Sequence, residues 1–194
     1  MNIGTLYQSF QVILEMLDDR GFKVDAVRES YSPIELANIF LVAIPSSIVV
    51  ESGEKRIRIF YFNQQQLKKH LKSYTFEEDT VGVHIIVNSE KLNHATAKVL
   101  QEAYKLAKIK CQLFNLNEVL INISKHVLVP RHDLLTKEDE QRVLAQYMST
   151  KTQLPWILRS DPMARYIGLE PGQIVMITTP SLTSGQYVSY RTCV

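Results

Sequence analysis

Asp161-Pro162-Met163-Ala164-Arg165-Tyr166-Ile167-Gly168 spells a complete short helix with both of its boundaries. Asp161 offers a carboxylate to the first unpaired backbone N–H groups, and Pro162 fills a first-turn position where no donor is needed. Gly168 supplies the left-handed residue that stops the helix. Downstream, Ile174 to Thr178 and Tyr187 to Arg191 read as two strands joined around Pro180 to Gly185. Upstream, Thr136 caps a helix over Lys137 to Tyr147, with Glu138, Asp139 and Glu140 in its first turn, where the helix dipole favours negative charge. Two helices and a strand pair make residues 119–194 a small α+β domain.

Before residue 118 the texture changes to alternating helices and strands, the pattern of an α/β domain over 1–118. Leu6, Phe10, Ile13, Leu14 and Leu17 form one apolar stripe of helical period. Asp18-Asp19-Arg20 ends that helix, Gly21 takes the left-handed position, and Phe22 and Val24 return to the core. Ser32-Pro33-Ile34-Glu35 has the spacing of a capping box. Ile39 to Ile44 reads as a buried strand stopped by Pro45. Glu51 to Glu54 is a turn between the β-rich runs Ile48 to Val50 and Arg56 to Phe62. In the second run Arg58 makes one face half polar, which places that strand near a sheet edge. Gln64 to Lys72 reads as a polar helix, Val81 to Val87 as a strand, Asn93 to about Lys108 as a helix, and Cys111 to Leu116 as a strand. No Gly/Ser linker separates the two parts, so the second domain is expected to pack directly on the first.

The 194 residues are 45% apolar and 22% charged, which excludes a mainly disordered or collagen-like chain. Two cysteines, Cys111 and Cys193, build neither a disulfide framework nor a zinc ribbon and favour a reducing compartment. The opening residues lack a signal-peptide pattern, and the longest apolar stretch, Ile39 to Pro45, falls far short of the roughly 20 residues of a membrane helix. A soluble intracellular protein with no membrane partner is expected. Residues 1–118 are neutral, so the whole net charge of +2 falls in 119–194. A free-standing nucleic-acid binder needs a basic stripe. Lys55-Arg56-Ile57-Arg58 and Lys68-Lys69-His70-Leu71-Lys72 are short and are matched by nearby acids, as on solvated faces.

Catalytic patterns are missing. The five histidines have no i+3 or i+4 partner and no cysteine at ligand spacing, so no zinc site is expected. His126 and His132 flank Val127-Leu128-Val129-Pro130 and read as hydrogen-bonded ends of a short strand. The 7 glycines are scattered and form no phosphate loop, and no G-x-S-x-G elbow occurs. Glu77-Glu78-Asp79 are consecutive, whereas a two-metal nuclease needs spaced carboxylates around its cations. No catalytic, cofactor-binding or metal-binding residue is assigned. A nuclease-like enzyme and a free-standing DNA-binding transcription factor are the alternatives, the first predicting metal-dependent cleavage and the second tight, salt-dependent binding.

The stretch from Ile123 onward resembles the fifth-largest subunit shared by eukaryotic nuclear RNA polymerases and its smaller archaeal counterpart. The resemblance runs through His126-Val127-Leu128-Val129-Pro130-Arg131-His132, Leu154-Pro155, Asp161 to Gly168 and Gly172-Gln173-Ile174-Val175. Pro180-Ser181, Thr183, Gly185 and Tyr187 to Arg191 complete it, and Leu120 to Ile123 lead into it. It implies a non-catalytic structural subunit of a DNA-directed RNA polymerase, one copy in a hetero-oligomer, with no cofactor. It further implies that residues 119–194 form an assembly domain like the archaeal protein, anchored to the largest subunit. On that resemblance the partner-binding residues are His126, Pro130, His132, Asp161, Pro162, Arg165, Tyr166, Gln173, Tyr190 and Arg191. Residues 1–118 resemble the eukaryotic form's jaw domain, of restriction-endonuclease-like topology without a nuclease site. The jaw meets downstream duplex DNA only within the holoenzyme, with Asn93 and His94 as DNA-proximal positions. The family's Thr-Pro-Ser-Ala motif is replaced by Asn93-His94-Ala95-Thr96, and Glu170, Met176, Thr179 and Gln186 stand in a region where the family often carries basic residues. These departures imply a divergent member: a paralogue dedicated to one polymerase, such as polymerase I, or a virus-encoded copy. The expected location is the nucleus or nucleolus, and the cytoplasm for a viral copy.

Overall fold

The computed structural model describes residues 2–39, 47–52, 55–62, 83–88, 98, 102 and 110–194. The chain divides into two compact units, Met1–Ile121 and Asn122–Val194.

The N-terminal unit opens with α1 (Ile3–Asp19), capped by the Asn2 side chain. Its stripe of Leu6, Phe10, Ile13, Leu14 and Leu17 is fully buried, each side chain contributing about 1.5–3 kcal/mol of apolar burial. Gly21 turns left-handed at φ 84°, and Val24 is buried as the pattern required. Two short helices follow, α2 (Asp25–Ser30) and α3 (Pro33–Ala37). On α3 the capping box is fully formed: Glu35 N–H donates to Ser32 Oγ at 3.3 Å, and Ser32 N–H donates to Glu35 Oε2 at 2.7 Å. Asn38 and Ile39 remain helical, and the rest of the strand expected over 39–44 lies outside the described residues.

Among the described residues, four strands make one sheet in the order β1 (Ser47–Ser52), β2 (Lys55–Phe62), β3 (Val83–Asn88), β4 (Lys110–Asn115). The first pair is antiparallel and the other two are parallel, with Ile59 opposite Ile48 and Ile85. β2, expected near a sheet edge, stands second in this order, beside the edge strand β1. It lies between two strands, and Ile57, Ile59, Phe60, Tyr61 and Phe62 are all buried. Both faces are buried from Ile57 to Phe62 apart from Arg58, so the half-polar face that Arg58 suggests is not a solvent-facing one. Tyr61 is tied to α1: its hydroxyl sits 3.0 Å from Ser9 Oγ, which donates to the Leu6 carbonyl at 2.7 Å. With the serine proton so committed, Tyr61 is the donor between them. The polar helix expected over 64–72 lies outside the described residues, and of 93–108 only Lys98 and Glu102 are described, both helical.

The C-terminal unit holds β5 (Arg131–Leu134), α4 (Lys137–Gln146), β6 (Trp156–Ile157), α5 (Pro162–Ile167), β7 (Ile174–Ser181) and β8 (Gly185–Cys193). The sheet order is β5-β7-β8-β6, with β6 parallel to β8 and the other pairs antiparallel. One face packs Val175, Ile177 and Cys193 against Ile157, Ala164 and Leu169. Toward the other side, the buried Glu140 of α4 accepts the Ile174 N–H at 2.8 Å and pairs with Lys151. Lys151 Nζ also donates to the Gly172 carbonyl at 2.7 Å, so one buried carboxylate joins helix, loop and strand. The short strand expected between His126 and His132 is corrected to a turn: Val129 N–H bonds the His126 carbonyl at 2.9 Å, and strand pairing begins at Arg131. Pro130 has no N–H to give a ladder, which sets the start of β5 after it.

Candidate functional site

The motif residues of the C-terminal unit separate into those that build the surface and those that form it. A short 3-10 turn, Ile123–Lys125, carries the chain into the His126 to Pro130 turn. Asn122, almost fully buried, starts this turn by accepting the Ser124 N–H at 3.0 Å and the Ser124 hydroxyl at 2.6 Å. His126 Nδ1 accepts the Leu128 N–H at 3.2 Å, and the His132 ring bonds the Pro130 carbonyl at 2.7 Å. Both histidines therefore hold the turn rigid through their own rings. What the turn presents to solvent is Val127, 96% exposed, and Leu128, 84% exposed. Two apolar side chains held out by a hydrogen-bonded turn lie ready for an apolar partner, because their ordering is already complete.

Helix α5 lies against the 3-10 turn Ile123–Lys125 and against β5, so the Asp161 to Tyr166 group is brought beside the strand that carries Arg131 and His132. Asp161 Oδ1 accepts N–H groups from Met163 at 2.8 Å and Ala164 at 3.3 Å, the cap its position implied. Gly168 stops the helix at φ 73°. Tyr166 is 6% exposed, so its role within this chain is packing. Pro162 is exposed and Arg165 is half-buried. Gln173 closes the turn before β7: its Oε1 accepts the Glu170 N–H at 2.8 Å, and its backbone carbonyl takes the Cys193 N–H at 2.9 Å.

At the far edge of the sheet, Arg191 donates to the Trp156 carbonyl at 2.9 Å, covering an outward-facing backbone acceptor of the edge strand β6. Trp156, the single tryptophan, is 62% exposed, and Leu158 and Val194 are exposed near it. Tyr190 is half-buried, its ring 5.7 Å from that of Tyr147 at an interplanar angle of 58°. The exposure of Val127, Leu128, Trp156 and Leu158 is not legible in the sequence, because burial of a lone apolar residue in a loop or two-residue strand has no periodic signature. Glu140 has the position of a dipole residue of the first helical turn, and nothing local marks it as buried. Asn93 and His94 lie outside the described residues. Among the described residues no three His, Cys, Asp or Glu side chains gather as a metal site would require, and no helix is long and apolar enough to cross a membrane.

Comparison with known proteins bears on both units. The family described as RNA polymerase Rpb5, C-terminal domain, matches residues 121–193. Over its full length the chain is 33% identical to the Dictyostelium discoideum protein named DNA-directed RNA polymerases I, II, and III subunit rpabc1, spanning 100% of this chain and 99% of that protein. A Caenorhabditis elegans protein, DNA-directed RNA polymerases I, II, and III subunit RPABC1, is 29% identical, with 96% of this chain and 94% of the relative covered. An Arabidopsis thaliana protein, DNA-directed RNA polymerases IV and V subunit 5B, is 28% identical over 95% of this chain and 88% of its own length.

Proposed function

The chain belongs to the Rpb5 family of RNA polymerase subunits, and from that membership we propose how it serves the enzyme. It is a non-catalytic structural subunit of a DNA-directed RNA polymerase, acting in transcription beside other polymerase subunits. Residues 119–194 anchor it, with the largest subunit as partner, and residues 1–118 form the jaw beside downstream DNA. The observation that carries the anchoring role is the display of apolar side chains on the C-terminal unit: Val127, Leu128, Trp156 and Leu158 have no covering element in their own unit. An interface core of this kind is depleted in charge and enriched in large side chains.

Within the proposed contact, His126, Pro130, Pro162, Arg165, Tyr190 and Arg191 line the partner surface. His132, Asp161, Tyr166 and Gln173 act on it indirectly, by fixing turns and helix ends. The jaw keeps a restriction-endonuclease-like topology without nuclease chemistry, and Asn93 and His94 are its DNA-proximal positions. The location that follows is the nucleus, with the nucleolus for a polymerase I paralogue and the cytoplasm for a virus-encoded one. Cross-linking mass spectrometry on the polymerase purified through a tagged full-length chain tests this arrangement. Cross-links from Lys125, Lys137 and Lys151 should reach the largest subunit. Cross-links to that subunit from residues 1–118 alone would overturn the assignment of the anchor.

A further inference from the structure

The last residues of the N-terminal unit are fastened to it in three ways. A 3-10 turn, Leu116–Val119, is closed by a capping box, in which Asn115 N–H donates to Glu118 Oε2 at 3.0 Å and Asn115 Oδ1 accepts the Asn117 N–H at 3.1 Å. Leu116 and Val119 are buried. The Leu120 carbonyl accepts a bond from Gln8 Nε2 of α1 at 3.0 Å, and Leu120 stands at φ −81° and ψ −27°. Two residues later the C-terminal unit takes hold of the chain. The buried Asn122 accepts the Ser124 N–H and hydroxyl through its side chain, and its carbonyl takes the Lys125 N–H at 3.3 Å. That turn holds Asn122 at φ −75° and ψ 105°. Between the two fastenings stands Ile121. It is 69% exposed, and among the described residues no hydrogen bond reaches its backbone. The boundary between the two compact units falls directly after it.

A hinge is a residue whose torsions can change without breaking a contact on either side. Rotation about ψ of Leu120 would pull its carbonyl from Gln8, and rotation about ψ of Asn122 would open the Ser124 turn. Each hydrogen bond so lost costs about 0.5–1.5 kcal/mol. Rotation at Ile121 breaks neither. The joint is nevertheless a coarse one. A β-branched residue is confined mainly to the extended and right-handed helical wells, so it steps between a few directions, where glycine would let the chain swivel.

We propose that Ile121 is the joint about which the N-terminal unit changes direction while the C-terminal unit stays anchored, so that the jaw follows duplex DNA without release of the anchor. The inference rests on the reading of 119–194 as the anchor and 1–118 as the jaw. The test measures residual dipolar couplings of the free full-length chain in a suspension of anionic filamentous phage. A single rigid body has one alignment magnitude in both units, whatever their mutual orientation. A jointed chain has two, because residues 1–118 are neutral and 119–194 carry the net charge of +2 that the phage attracts. The magnitudes should differ at least about 1.5-fold in wild type. The difference should widen in Ile121→Gly, and in Gln8→Ala, which frees the Leu120 carbonyl. Couplings within each unit should still fit that unit's own structure in all three chains, which separates a loosened joint from a loosened fold. Equal magnitudes in wild type overturn the proposal, as does an Ile121→Gly chain whose magnitudes match those of wild type. The anchor is judged separately, on the purified polymerase: cross-links to the largest subunit from residues 1–118 alone overturn the anchor reading even where the free chain shows the joint.

Discussion

At the scale of single residues, the buried Glu140 holds the C-terminal unit together. Its two oxygens take the Ile174 N–H and the Lys151 ammonium, so removing the carboxylate leaves a buried donor without its acceptor and a cation held by the Gly172 carbonyl alone. Glu140→Ala should cost about 2–4 kcal/mol in urea unfolding. Glu140→Gln keeps an acceptor for Ile174 and should cost about half as much. Lys151 is 40% exposed, so its replacement by Met is softened by solvent and should cost roughly 1 kcal/mol. Equal losses for all three variants would contradict this account of the node. A second residue-scale expectation concerns pH. The Ser32 backbone N–H, and then its hydroxyl, hold the Glu35 carboxyl below the ordinary value of 4.5. A depressed acid contributes its stability above the unfolded value and loses it as pH falls through the folded one. The Ser32 amide resonance should therefore titrate with a midpoint below 4.5 and become pH-independent in Glu35→Gln. Burial pushes the Tyr61 hydroxyl far above the ordinary tyrosine value, against the smaller opposing effect of Ser9. Alkaline difference spectra should show that Tyr61 ionises only as the chain unfolds.

At the scale of elements, caps were legible and coverage was not. The Asp161 carboxylate, Pro162 and Gly168 act locally, so the sequence around α5 was enough to place both ends. Asp161→Ala should lower stability by about 1 kcal/mol, and Gly168→Ala by about 1–2 kcal/mol, since alanine must adopt φ 73° there. Calorimetry of the full chain distinguishes these from a neutral surface change. The parallel pairing of β2 with β3 was not legible, because β3 arrives from further along the chain, whereas the antiparallel pairing with β1 follows from two β-rich runs joined by a short turn. The turn at Val127 to Pro130 was misread for a related reason. Its residue types favour a strand, but the His126 ring and the missing proline N–H fix a turn instead. Of the site, the polar motif residues were visible as a series. Their division into scaffold and surface follows from hydrogen bonds such as that of Gln173 to Glu170, which no spacing reveals.

At the scale of the whole molecule, charge argues against independent action. A chain of net charge +2 has little excess cation with which to displace counterions from DNA. The purified full chain should bind duplex DNA no more tightly than the non-specific range of about 10⁻⁴–10⁻⁶ M at physiological salt. Sub-micromolar binding would favour a free-standing factor. It should also leave labelled DNA and RNA intact with Mg²⁺ or Mn²⁺, as a subunit without carboxylates spaced for two-metal chemistry would. Influence on transcription then comes from position, exerted by surfaces that the rest of the enzyme holds in place. The most direct measurement is the composition of what is purified through a tagged full-length copy expressed in its own cells. The two large polymerase subunits should be present in a one-to-one ratio with the tagged chain and stay bound through a salt wash. A tagged chain recovered alone, or with nucleic acid and no polymerase subunit, would contradict the subunit assignment.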